Sequence, residues 1–234
     1  MDQIVKNQGL CHIAEKIFLF LDVDSLKNCE KVNISWMEFL KNPKFWTKKL
    51  SQTEISEEIK TSWKLLIEKS KNERFFKEIK GYLIELIQGN PKFTKPISEK
   101  TKHCKKHFGF FVKQLSDECL ENCKIPLNFA VGTGNLEMTK FIIENPIDHN
   151  PVNMNSALNF AAFYGKLEVL KYLVDVVGYS HVLNGCNDGP ANNEGIWPFN
   201  GHISPLYYGV CGGHLEVIKF FFRHYFPQSR YGFT

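Results

Sequence analysis

Four residues have the types and spacing that could hold a metal ion. Cys104, His107, Cys119 and Cys123 follow the pattern C-x2-H-x11-C-x3-C, which could close a tetrahedral zinc site. Two features argue against it. Cys119 falls on an apolar helical stripe with Phe108, Phe111, Val112, Leu115 and Leu120, and Cys104-Lys105-Lys106-His107 lacks the usual glycine turn. No metal and no cofactor is therefore expected. Around this segment, Lys92, Lys95, Lys100, Lys102, Lys105 and Lys106 surround His103 with one Glu among them. Such a run attracts phosphate or an acidic partner. It has no arginine and no interleaved aromatics, so a solvated loop is the preferred reading and nucleic acid is not expected as a partner. Motifs for covalent chemistry are absent: GxGxxG, GxxxxGK[ST], GxSxG and HExxH do not occur. Gly165-Lys166-Leu167 has neither the upstream glycine nor the following hydroxyl of a phosphate loop. No pair of carboxylates is arranged for acid–base work. The chain reads as non-catalytic.

The elements that would position any site follow from composition and periodicity. The 234 residues allow one or two domains, 43% are hydrophobic and 23% charged, which suits a globular chain and argues against wholesale disorder. A net charge of +4 is too small and scattered to imply a polyanion. No apolar run is long enough to span a bilayer, so no membrane contact is expected. The first nine residues lack the order of a secretory signal. Seven cysteines in no disulfide-framework spacing read as free thiols, placing the chain in the cytoplasm or nucleus. In that setting the sequon Asn33-Ile34-Ser35 is a chance match.

Three stretches, 126–143, 157–174 and 205–222, align without gaps. The invariant columns are Leu127/158/206, Gly134/165/213, Leu136/167/215, Glu137/168/216 and Lys140/171/219. Small and apolar residues before the glycine predict a short helix that approaches its neighbours closely. The glycine fits a left-handed turn, and the Glu then falls in the first turn of a second helix, where negative charge suits the dipole. One such pair cannot bury its own apolar face, so the copies must stack. This pattern resembles the ankyrin repeat, and Gly213-His214-Leu215-Glu216-Val217-Ile218-Lys219 nearly reproduces that family's run Gly-His-Leu-Glu-Val-Val-Lys. Asp148-His149-Asn150-Pro151 is similar to the family's connector. The starts are separated by 31 and then 48 residues, the second spacing carrying an insertion of about 15 residues relative to the ankyrin period, at 184–202. The family's histidine after Leu is Asn128, Asn159 and Tyr207 here.

A second signature lies before residue 50. Ile13, Ala14, Ile17, Phe18 and Leu21 mark one apolar helical face. Asp24 is a candidate N-cap for a second helix with Leu26, Cys29 and Val32 inward. Trp36, Phe39 and Leu40 build a third, ended at Asn42-Pro43, and Phe45, Trp46 and Leu50 follow. A unit this small and this apolar wants a partner surface. From Ile17 to Trp46 the order resembles the F-box, with no gap: Ile17-Phe18-Leu19-Phe20-Leu21-Asp22, then Cys29 and Val32 to Trp36, then Asn42-Pro43-Lys44-Phe45-Trp46. The start departs from it, with Gly9-Leu10-Cys11-His12 where the family has Leu-Pro-x-Glu.

These readings give an all-α chain: a three-helix F-box over 9–50, a helical linker over 51–123 that also reads as one degenerate capping repeat, and an ankyrin solenoid over 124–234. In the linker, Ile55, Ile59, Trp63, Leu66 and Ile67 make one stripe, and Phe75, Phe76, Ile79, Leu83, Leu86 and Ile87 a second. The F-box resemblance implies docking on the Skp adaptor, and through it a cullin, with Ile13, Ile17, Phe18, Leu21, Leu26, Val32, Trp36 and Trp46 as anchors. The ankyrin resemblance implies a protein substrate held in the groove, where Gly132/Thr133, Phe163/Tyr164 and Cys211/Gly212 would be exposed. Phe163 and Tyr164 are the preferred groove anchors, and Trp197 and Phe199 of the insertion either touch a partner or pin the loop. Together they imply a substrate-recognition subunit of an SCF-type ubiquitin ligase. The alternative is an interaction scaffold with no ligase association. Phe220, Phe221, Phe222, Tyr225 and Phe226 lack a polar capping repeat after them, so the end is expected to be covered by the tail or by a partner, or to belong to a shortened form.

Overall fold

A computed structural model describes residues 11–70, 73–89, 124–145, 152–178 and 205–225, with side chains described from Met154 in the fourth of these blocks and as far as His224 in the last. Among them are twelve α-helices and no strand. They fall into two units, 1–95 and 96–234.

In the first unit the helices are α1 (Cys11–Phe20), α2 (Val23–Val32), α3 (Ile34–Leu40), α4 (Pro43–Ser51), α5 (Glu57–Lys69) and α6 (Glu73–Ile87). Where three N-terminal helices were expected, there are four, because side-chain caps divide the chain. Asp22, not Asp24, starts α2: its carboxylate accepts from the Ser25 amide at 2.7 Å, while Asp24 lies in the first turn. Asn33 is extended (φ −154, ψ 139) and its side chain accepts from the Ser35 amide, so it ends α2 and begins α3. Asn42 caps α4 in the same way, with Pro43 at the first helical position, where its missing N–H costs nothing. The end of α1 is closed by Lys49, whose Nζ donates to the Leu19 and Leu21 carbonyls at 2.5 and 2.8 Å. Burial there pushes the Lys49 ammonium below its ordinary value, against the opposing pull of Asp22.

The core of this unit is aromatic. Rings run in sequence from Trp36 to Phe18, Phe39, Phe45 and Trp46, with centroids 5.3 to 5.7 Å apart and mostly edge-to-face. Helix α4 packs on α1, α3, α5 and α6, and Leu50 of α4 is closed off from solvent along with Trp63 and Leu66 of α5 and Ile79 and Leu83 of α6. The segment read as a linker thus contributes its first two helices to the N-terminal unit. Both stripes predicted there point inward, except that Ile55, Phe75 and Ile87 are only half-buried.

The second unit is three helix pairs: α7 (Pro126–Thr133) with α8 (Leu136–Glu144), α9 (Val152–Phe163) with α10 (Leu167–Val177), and α11 (Pro205–Gly212) with α12 (Leu215–Tyr225). Each pair turns at the shared glycine, and Gly134, Gly165 and Gly213 all have φ between 67 and 81. That left-handed conformation is strained for any residue with a Cβ. The same backbone bonds recur at each turn: Asn135 to Ala130, Lys166 to Ala161 and His214 to Gly209, with N–H···O distances of 3.0, 2.8 and 3.1 Å. Successive pairs stack through α7–α9–α11 and through α8–α10. Helix α11 packs on α9 although the spacing in sequence between the second and third copies is longer than that between the first and second.

Candidate protein-interaction surfaces

The eight residues expected to anchor an adaptor separate into three groups. Phe18, Leu26 and Trp46 are 0–1% exposed and belong to the unit's own core. This corrects their assignment as contact residues, since a side chain enclosed by α1–α4 offers no surface to a partner. Leu21 and Trp36 are half-buried, Trp36 lying edge-on to Phe18. Ile13, Ile17 and Val32 are exposed, at 38%, 37% and 68%.

Two exposed residues belong with the last group and were missed: Phe20 at 88% and Ile34 at 76%. Ile13, Ile17 and Phe20 are spaced i, i+4, i+7, which places them within one narrow arc of α1. Ala14 and Phe18 point into the core from another arc of the same helix. Helix α1 is therefore apolar on two faces, one used internally and one open. The 3.6-residue period contained this signal, because Phe20 continues the Ile13–Ile17 row. Val32 and Ile34 flank the Asn33 break and form an apolar corner between α2 and α3.

The charged groups around these helices serve the fold. Glu15 pairs with Lys48 at 2.7 Å, joining α1 to α4. The Ser25 amide holds the Asp22 carboxyl below its ordinary value. Burial pushes the Cys29 thiol above its ordinary value.

In the second unit the groove residues differ from expectation. Phe163 is 5% exposed, its ring edge-on to Tyr164 at 5.2 Å, and Tyr164 is half-buried. The reason is stacking: Gly212 of the third copy packs on the Phe163 backbone so closely that a Cβ would collide with it. Gly132 and Gly212 are likewise buried and Cys211 half-buried, so only Thr133 of the six expected groove residues is exposed. Among the described residues of this unit, Val176 of α10 is 46% exposed, and the other exposed large apolar residues are on the third pair. In one aligned column, Val131 and Ala162 are 0% exposed and Val210 is 54%; Leu215 and Phe222 are also open. Trp197, Phe199, the Cys104/His107/Cys119/Cys123 set, the lysine run and Phe226 lie outside the described residues. Among the described residues no group of three His, Cys, Asp or Glu could hold a metal ion, and no helix is long and apolar enough to cross a membrane.

Repeated helix–turn–helix layers joined by left-handed glycines define a solenoid of stacked repeats. The family Ankyrin repeats (3 copies) matches residues 102–184 and 127–230, together more than half of the sequence, and the chain belongs to the ankyrin-repeat family. Searches of curated proteins and of solved structures gave no match. Ankyrin repeats are protein-interaction modules, and the C-terminal unit is one.

Proposed function

We propose that the chain is the substrate-recognition subunit of an SCF-type ubiquitin ligase. The N-terminal unit docks on the Skp adaptor, and the ankyrin unit holds the protein to be modified. The observation that carries this reading is the open row Ile13–Ile17–Phe20 with the Val32–Ile34 corner, in a unit whose residue order resembles the F-box. Large apolar side chains left in water on short helices gain most from burial in a partner. The chain itself makes and breaks no bond. It acts by raising the effective concentration of substrate lysines near a charged ubiquitin-conjugating enzyme.

A second reading is a scaffold without the ligase, and the start Gly9-Leu10-Cys11-His12, which departs from the family's Leu-Pro-x-Glu, favours it. One experiment decides between them. Recombinant Skp adaptor captures the wild-type chain, and Ile17→Asp or Phe20→Asp abolishes capture while leaving the far-ultraviolet circular dichroism unchanged. Failure of the folded wild type to bind would remove the ligase reading and leave the scaffold.

A further inference from the structure

Helix α6 reaches the N-terminal helices through polar side chains as well as through its apolar stripe. Lys80 pairs with Glu30 of α2 and its ammonium stands 5.3 Å from the centre of the Trp46 ring on α4. Just past the end of α6, the Gln88 side-chain amide donates to Asp24 Oδ1 at 3.1 Å. Residue numbers rise along α6 as they fall along α2, so the two ties hold these helices antiparallel. The Lys80 and Glu30 side chains are only 13% and 28% exposed, so removing or reversing one partner leaves the other charge enclosed without its counter-charge, a larger loss than at an open surface. Glu30 is two residues before Val32 and four before Ile34. Lys80 therefore grips the turn of α2 that leads directly into the exposed apolar corner. The F-box-like order ends at Trp46, well before α6.

From this juxtaposition we infer that α6 positions the docking surface, and that the docking unit runs from residue 11 to residue 89. Lys80 is a positioning residue: it fixes α2, and α2 carries Val32 and, across Asn33, Ile34. The consequence for docking rests on the function proposed above; the bracing of α2 does not.

The full-length chain is the material for the test, as wild type, Lys80→Glu, Lys80→Arg and the swapped pair Glu30→Lys/Lys80→Glu. Amide hydrogen exchange is read on peptides covering α2–α3 and α7–α12, and affinity for the Skp adaptor is measured in parallel. Lys80→Glu is expected to speed exchange in α2 and α3 about tenfold, to leave α7–α12 unchanged and to weaken adaptor binding about tenfold. Lys80→Arg and the swapped pair restore both. Gln88→Ala, a milder cut at the other tie, moves both in the same direction by less. Unchanged exchange in α2 and α3 of Lys80→Glu would overturn the brace, as would a swapped pair that restores nothing. Faster exchange with unaltered affinity would overturn its link to docking. A wild type that does not bind the adaptor sinks the docking role, and the exchange data still decide the brace.

Discussion

The Trp46 indole N–H donates to the Leu40 carbonyl across 2.7 Å, and both residues are closed off from solvent. The bond spans the Asn42-Pro43 break and fixes the angle between α3 and α4. Trp46→Ala removes the bond, the contact with Phe45 and the surface under Lys80, and is expected to cost about 3–5 kcal/mol. Trp46→Phe keeps most of the volume and loses the bond, at about 1–2 kcal/mol. Urea unfolding followed by circular dichroism measures both. A Trp46→Ala loss no larger than that of Trp46→Phe would mean that the ring packs far more loosely than its burial indicates.

The all-α fold, the three repeats and their turn glycines were legible because each rests on short-range pattern. Gly134, Gly165 and Gly213 need a left-handed turn whatever surrounds them. The stripe from Ile59 to Ile67 buries itself wherever a second layer exists. What was not legible was which of two apolar arcs on one helix faces inward. Phe18 and Ile17 are adjacent and equally apolar, and only tertiary packing, with the Phe18 ring against Trp36 and Phe39 of α3, sends Phe18 to the core. Phe163 is closed off for a similar reason: Gly212 lets α11 come against the Phe163 backbone, a contact between residues far apart in sequence.

Two glycines give opposite expectations. Gly212 lies where a Cβ would overlap the Phe163 carbonyl, so Gly212→Ala forces α11 away from α9 and costs about 1–3 kcal/mol. Gly81 is exposed on α6 with nothing near its absent side chain, so Gly81→Ala stabilises by about 0.5–1 kcal/mol through better helix propensity. Thermal or urea unfolding of the two single variants tests the pair. Equal effects of the same sign would show that the α9–α11 spacing is not limited by Gly212.

At the column where ankyrin repeats carry histidine, the fully buried Asn128 donates from Nδ2 to Ser156 Oγ at 2.9 Å, tying α7 to α9. A double-mutant cycle with Asn128→Ala and Ser156→Ala isolates this bond, and the coupling energy is expected to be about 1 kcal/mol. Strict additivity of the two substitutions would show that the bond contributes nothing beyond the separate side chains.

Acid sensitivity follows from three carboxylates. Asp22 is held below its ordinary value by the Ser25 amide, Glu57 by its bond to Lys60 and Glu216 by its bond to Lys219. Each folded-state value lies below the unfolded one, so each contributes stability that is complete above the ordinary carboxylate range. That contribution is lost as pH falls through the folded value, because the unfolded chain takes up protons first. Stability is therefore expected to hold from neutrality to about pH 5 and to decline steadily below about pH 4. Asp22→Asn separates capping from titration: asparagine is as good an N-cap but carries no charge to lose. The variant should match the wild type near pH 3 more closely than at pH 6, which gives it a shallower acid limb in urea midpoints taken across that interval. An acid limb of unchanged slope would assign the decline to groups other than Asp22.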